Sequence, residues 1–204
     1  MPGKQAIWSD GLAGTASRAA DHDDALIARI AGGEIDVWPQ LVDRHLSAVV
    51  SHSWYMLNDR DEAEDVAQEV FLRLMKKVKD WQPGGARLRT WLHRVTVNLC
   101  IDRRRAVRPE PLDTLAEGMF SSGGGEETDR GIDLERSVRG ALQALNERQR
   151  AAMILVHYQG FSNIEAAATL GLSVDALESL LARARRAIRR DLEDVAGELL
   201  GDRP

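Results

Sequence analysis

One cysteine, Cys100, stands in 204 residues, so no disulfide can close within the chain, which suits a reducing compartment. No apolar run approaches the roughly 18 residues of a spanning helix, which argues against membrane insertion. The first residues show no charged-then-apolar signal pattern. Alternating apolar and polar residues are almost absent, which leaves little material for strands. Gly123–Gly125 lacks the lysine and the preceding strand of a phosphate-binding loop. His22, His45, His52, His93 and His157 have no metal-ligand spacing with Cys100, and the carboxylates of Asp61–Asp65 fall on a helix with no cleft implied. The sequence therefore reads as a cytoplasmic, non-enzymatic protein without metal or cofactor, built from helices.

The formal net charge is −5, which taken alone argues against a nucleic-acid partner. The charge is segregated, however. Phe71–Arg108 holds eleven Lys or Arg against two acids, and Arg139–Arg190 holds eight Arg against four. Asn58–Val70 holds six acids against one Arg, and Pro109–Val138 eight against two. Local potential decides where a polyanion binds, so the pattern predicts two basic faces, one acidic patch and one acidic tether.

Residues 1–20 are rich in Gly, Ala and Ser and read as a disordered leader. A first helix is expected from Asp23 to Ala31, ending at Gly32-Gly33. A second covers Ile35–Leu57, with Trp38, Leu41, Val42, His45, Val49 and Leu57 inward. Asn58 or Asp59 opens a third, in which Ala63, Val66, Ala67, Val70, Phe71, Leu74, Met75 and Val78 form the strongest amphipathic stripe in the chain. Trp81–Gly85 is punctuated as a loop, and a fourth helix is expected from Thr90 to Arg105. Residues 109–131, rich in Pro, Gly, Ser and acid, read as a flexible linker. The expected fold is all-α: two small helical domains, 21–108 and 132–204, joined by that linker.

The second domain carries the most specific local signals. An apolar helix ends near Gln159-Gly160-Phe161. Ser162 and Glu165 have the spacing of a capping box for a short helix, Asn163–Leu170. Gly171 suits the left-handed residue after it, and Ser173 is a natural N-cap for the next helix. In that helix Leu177, Leu181, Ala184, Ile188, Leu192 and Val195 form an apolar face. Two helices joined by a short glycine-containing turn, with arginines following, read as a helix-turn-helix whose second helix can enter a major groove.

Three segments, DEAEDVAQEVFLRL at Asp61–Leu74, RLRTWLHRVTVNLCIDRRR at Arg87–Arg105 and LQALNERQRAAMILVHYQGFSNIEAAATLGLSVDALESLLARARRAI at Leu142–Ile188, occur in the order and spacing that resemble the extracytoplasmic-function sigma factors of bacterial RNA polymerase. The resemblance extends from about Asp23 to Leu192. It implies that the acidic third helix docks on core polymerase through Asp65, Gln68, Glu69 and Arg73. It implies that the loop from Lys79 and the following helix open the minus-ten element. There Lys79, Trp81, Gln82, Arg87, Arg89, Arg94, Arg103 and Arg104 offer the base capture, stacking and phosphate contacts that melting needs. Trp81 can serve equally as a core anchor, and Trp91 and Leu92 belong to the core. The helix-turn-helix would read the minus-thirty-five element through Ser173, Asp175, Ala176, Glu178 and Ser179, with Arg183 and Arg186 on the backbone. Many relatives carry Lys and Arg where this chain has Glu178 and Leu180. Glutamate can accept from a cytosine amino group; pairing with Arg185 is its alternative role.

The implied partners are core RNA polymerase, promoter DNA and an anti-sigma factor. Two other readings compete. A decoy that titrates an anti-sigma factor needs neither basic helix. A repressor acting without polymerase has no use for the acidic helix or the melting-type loop.

Overall fold

The computed structural model describes residues 22–82, 87–107 and 130–201, with side chains described at 22–82, 87–106 and 137–192. The leader and nearly all of the expected linker lie outside these residues. Among the described residues there are helices and turns and no strands, so the all-helical expectation holds.

The first helix, α1, spans residues 22–31 and buries Leu26, Ile27 and Ile30. Asp23 near its start is buried and is held by Arg44 at 3.2 Å and His45 at 3.0 Å. After a short 3-10 turn comes α2, Trp38–Leu57, with proline in its first turn, where the missing N–H costs nothing. It ends because Asn58 turns left-handed at φ 56°, its N–H closing on the Trp54 carbonyl. Asp59 then caps α3, Arg60–Lys77, accepting from the Glu62 amide at 3.0 Å. Ala63, Val66, Ala67, Val70, Phe71 and Leu74 are buried as the stripe predicts. Met75 is not: it is 46% exposed. It lies about 100° around the helix from Leu74, beyond the side that α2 and α4 cover. A 3-10 turn, Val78–Asp80, leads toward α4, Leu88–Val107, which starts two residues before the expected Thr90.

In the second half, α5 spans Arg130–Ala144, beginning within the stretch read as linker. Asn146 caps α6, Glu147–Met153, accepting from the Gln149 amide at 2.9 Å. This helix widens into a π turn, Ile154–Tyr158. Then come α7, Asn163–Leu170, and α8, Val174–Gly201. Between them Gly171 takes φ 66°, a conformation in which a Cβ would be strained.

The two halves pack against each other. α2 packs on α3 and α4, and α6 with α7 and α8; α4 in turn lies on α7, and α2 on the π turn. Ala151 and Ile154 of the second half are fully buried within the apolar cluster of the first. Tyr55 and Leu170 pack against both clusters.

Two buried polar features belong to this scaffold. His52 and His93 bring their Nδ1 atoms to 2.6 Å, so one ring donates and the other accepts. Burial holds the pKa of His52 down at about 3 and that of His93 well below the usual histidine range. Arg150 is fully buried. It donates to the carbonyls of Leu142 at 2.7 Å, Leu145 at 2.9 Å and Gln143 at the end of α5, and to Met56 at the end of α2, 2.9 Å away.

Candidate nucleic-acid interface

Three surfaces hold the residues singled out by sequence. On α3, Asp65 and Gln68 are exposed on the side away from α2 and α4. Glu69 accepts from Arg73 Nε at 2.8 Å, and that bond keeps its carboxyl below the usual carboxylate range. The structure adds two side chains to this surface. Leu72 is 52% exposed and Met75 stands beside it in helical spacing, so an apolar pair is flanked by Gln68 and Glu69 on one side and by Arg73 and Lys76 on the other. Their steps of four and three from Gln68 were readable. The even stronger buried stripe drew Met75 to the wrong face, and Leu72 was not singled out.

On the basic surface the predicted residues separate. Lys79 and Gln82 are exposed. Trp81 packs against the first apolar cluster, edge-on to Trp91 at 6.0 Å, and its indole N–H points to Asp24 at 3.4 Å. In this arrangement it is an anchor. Leu92 is buried and Trp91 partly so. Arg103 donates to the Glu62 carbonyl at 2.7 Å and Arg104 to Gln143 Oε1 at 3.0 Å.

The remaining three arginines face α7. Arg87 pairs with Glu165 at 3.2 Å. Arg89 is half-buried, lies 4.0 Å over the Phe161 ring and donates to the Gln159 carbonyl. Arg94 donates to the Thr169 carbonyl at 3.3 Å and to that of Ala168.

The helix-turn-helix is assembled as its capping signals require. Ser162 accepts from the Glu165 amide while the Glu165 carboxylate accepts from the Ser162 amide at 3.0 Å, the reciprocal capping box. Ser173 accepts from the Ala176 amide at 3.2 Å. Phe161, in the turn before α7, is buried in the second apolar cluster together with Leu177, Leu181 and Ala184. Those inward residues fix the rotation of α8. Asp175, Ser179, Arg183 and Arg186 then form an exposed row at steps of four, four and three, with Ser173 exposed before it and Ala176 partly covered. Glu178 is exposed and accepts from Asn163 Nδ2 at 3.1 Å. Arg185 instead approaches His157 at 3.4 Å.

A two-part helical chain whose second part presents one exposed polar row from a capped helix-turn-helix belongs to the class of helix-turn-helix proteins. The family models of Sigma-70 region 2 and Sigma-70, region 4 match residues 41–109 and 135–188. The chain is 32% identical to the ECF RNA polymerase sigma factor SigE of Mycolicibacterium smegmatis, the match covering 93% of this chain and 72% of that one. It is 27% identical to SigW of Bacillus subtilis, over 83% of this chain and 96% of that one. Among solved structures it is similar to CnrH in complex with the cytosolic domain of CnrY, with TM-score 0.65, 29% identity and coverage of 84% of this chain and 97% of that one. It is also similar to the sigma factor RpoE bound to the anti-sigma factor NepR from Bartonella quintana, with TM-score 0.60, 25% identity and coverage of 76% and 96%. The chain belongs to the extracytoplasmic-function sigma factors of the sigma-70 family.

Proposed function

We propose that this sigma factor divides its work between residues 21–108, which bind core polymerase and the minus-ten element, and residues 132–204, which read the minus-thirty-five element. Asp65, Gln68, Glu69 and Arg73, together with Leu72 and Met75, form the polymerase-docking face. Lys79, Gln82, Arg87, Arg89 and Arg94 contact the opened strand, with Arg103 and Arg104 reaching phosphates when the contacts they make within the chain are exchanged. Trp81 anchors the turn that carries Lys79 and Gln82. Ser173, Asp175, Ala176, Glu178 and Ser179 approach base edges, and Arg183 and Arg186 the backbone. The protein acts by binding, in the cytoplasm where polymerase and chromosome are.

The observation that carries this reading is the outward face of α3. Two exposed apolar side chains bordered by charges of both signs, beyond the acidic first turns of the helix, fit a protein partner, and a chain that only bound DNA would have no use for them. The similarity to chains solved with CnrY and with NepR supports control by an anti-sigma factor. The test is gel filtration of the full chain with core polymerase from its own cell, followed by transcription from a promoter library. Co-elution and selection of one promoter class are expected. Failure to bind core polymerase would sink the proposal.

A further inference from the structure

Glu178 stands where no cation of its own helix can hold it. Its neighbours at steps of three and four along α8 are Val174, Asp175, Leu181 and Ala182, and Arg185 approaches His157 instead. Among the described residues a single hydrogen bond reaches its carboxylate, from Asn163 Nδ2 to Oε1 at 3.1 Å. A carboxylate only accepts, so the amide group of Asn163 must face it. Both ends of this bond are firm. Asn163 is the first residue of α7, half-buried behind the capping box of Ser162 and Glu165. α7 and α8 are packed together through Ala166, Ala167, Leu177 and Leu181. Oε1 is therefore committed, while Oε2 has no hydrogen bond among the described residues.

We propose that Asn163 is a positioning residue for base readout: by fixing Oε1 it aims Oε2 at the amino group of one cytosine in the minus-thirty-five element. The inference rests on the assignment of Glu178 to a base edge. The choice of cytosine follows from the chemistry of the major groove. Guanine and thymine show acceptors there, which repel a carboxylate. Adenine sets its N7 acceptor beside its amino group, whereas cytosine shows the amino group alone. A carboxylate held in place before DNA arrives gives up less rotamer freedom on binding than a free one. Loss of Asn163 thus weakens discrimination at one base pair and leaves the other contacts of α8 as they are.

The test is transcription by holoenzyme from a promoter library randomised across the minus-thirty-five element, with transcripts counted base by base. Asn163→Asp keeps the size of the side chain, and a carboxylate near a helix N-terminus favours the helix, but the donor is gone and Glu178 is repelled. Asn163→Ala removes the donor without adding charge, and alanine is the better helix former. Both leave the Ser162 capping box in place, and circular dichroism checks that helix content is kept. The wild-type chain should prefer cytosine at one position by about tenfold, and both variants should cut this to about threefold or less. The order of preference at the other positions should stand. Glu178→Ala should abolish the same preference, and adding Asn163→Ala to it should change that position no further. A uniform loss across the library with the cytosine preference intact would overturn the inference, because Asn163 would then be a backbone contact. Preference for a different base at the position that Glu178→Ala affects would overturn the aim assigned to Oε2. Preference lost in Glu178→Ala but kept in both Asn163 variants leaves the assignment of Glu178 standing and removes the positioning role. No change in Glu178→Ala removes both.

Discussion

Arg150→Met tests how much of the fold depends on one buried guanidinium. Methionine fills similar length without donors, so the carbonyls of Met56, Leu142, Gln143 and Leu145 lose the partner that reaches all four. Met56 keeps Arg104 at 3.4 Å and Leu142 keeps the Leu145 amide at 3.3 Å; each carbonyl left without a donor costs about 1–3 kcal/mol. Two effects oppose the sum. Carbonyls at helix ends can be reached by water after slight fraying, and the substitution removes the cost of burying a cation. That cost is visible in the arginine itself, whose pKa burial pulls down to about 9, still leaving it charged at neutral pH. Breaking such a buried charged network removes about 3–5 kcal/mol. At roughly 2–4 °C per kcal/mol for a chain of this size, the midpoint of thermal unfolding should fall by about 10 °C. Urea titration followed by circular dichroism measures the free-energy loss directly. Arg150→Lys should fall between, because three donors on a flexible stem cannot span four acceptors. A loss below about 1 kcal/mol for the methionine variant would show that these carbonyls need no donor, and would refute the reasoning.

Stability should fall with acid through His52 and His93. Their folded pKa values lie below the unfolded value, so the unfolded chain binds more protons once pH drops below about 6.5. The loss grows by up to about 1.4 kcal/mol per pH unit for each histidine that stays neutral in the fold; urea midpoints between pH 7 and pH 4.5 measure it, and His52→Gln should flatten the slope. On α8, Arg183→Ala should weaken binding of holoenzyme to all minus-thirty-five variants about equally and lower the salt slope by roughly one contact. Glu178→Lys should instead reorder preference at one base pair by about 1–3 kcal/mol in a promoter-library transcription assay. An unchanged order would leave Glu178 as a partner of Asn163 only. Leu72→Asp should weaken core polymerase binding about tenfold, or about 1.4 kcal/mol, in a titration of core with labelled chain, while its half-exposed position spares the fold.

What the residues disclosed in advance follows the range of the forces involved. The turn from Ser162 to Ser173 was readable because capping boxes, left-handed glycines and N-caps act over three or four residues, and each is present as expected. The buried stripe of α3 was readable for the same reason. Met75 was misplaced because periodicity marks a stripe but not its edge; the neighbouring helices set the edge. His52, Ser53 and Arg150 gave no local sign of burial, since polar residues enter a core only where distant partners meet them. Arg89 and Arg94 were recognisable as cations. Their partners, 70 and 75 residues away, belong to the packing of α4 on α7.

The carbonyl of Met56 accepts from Arg150 and lies 3.4 Å from Arg104. One donor comes from each half of the molecule, so the end of α2 is finished by the protein's own opposite part. Arg94 finishes the end of α7 in the reverse direction. This joint is mixed, helix ends lying beside the apolar contacts of Ile154 and Tyr55, and its two parts answer differently to water. When apolar faces part, water gains nothing from the surfaces it wets; when helix ends part, water takes up the vacated carbonyls and the guanidinium groups at once. The polar part of the seam is therefore easily rewetted, while Ala151 and Ile154, buried in the opposite half's core, oppose its opening.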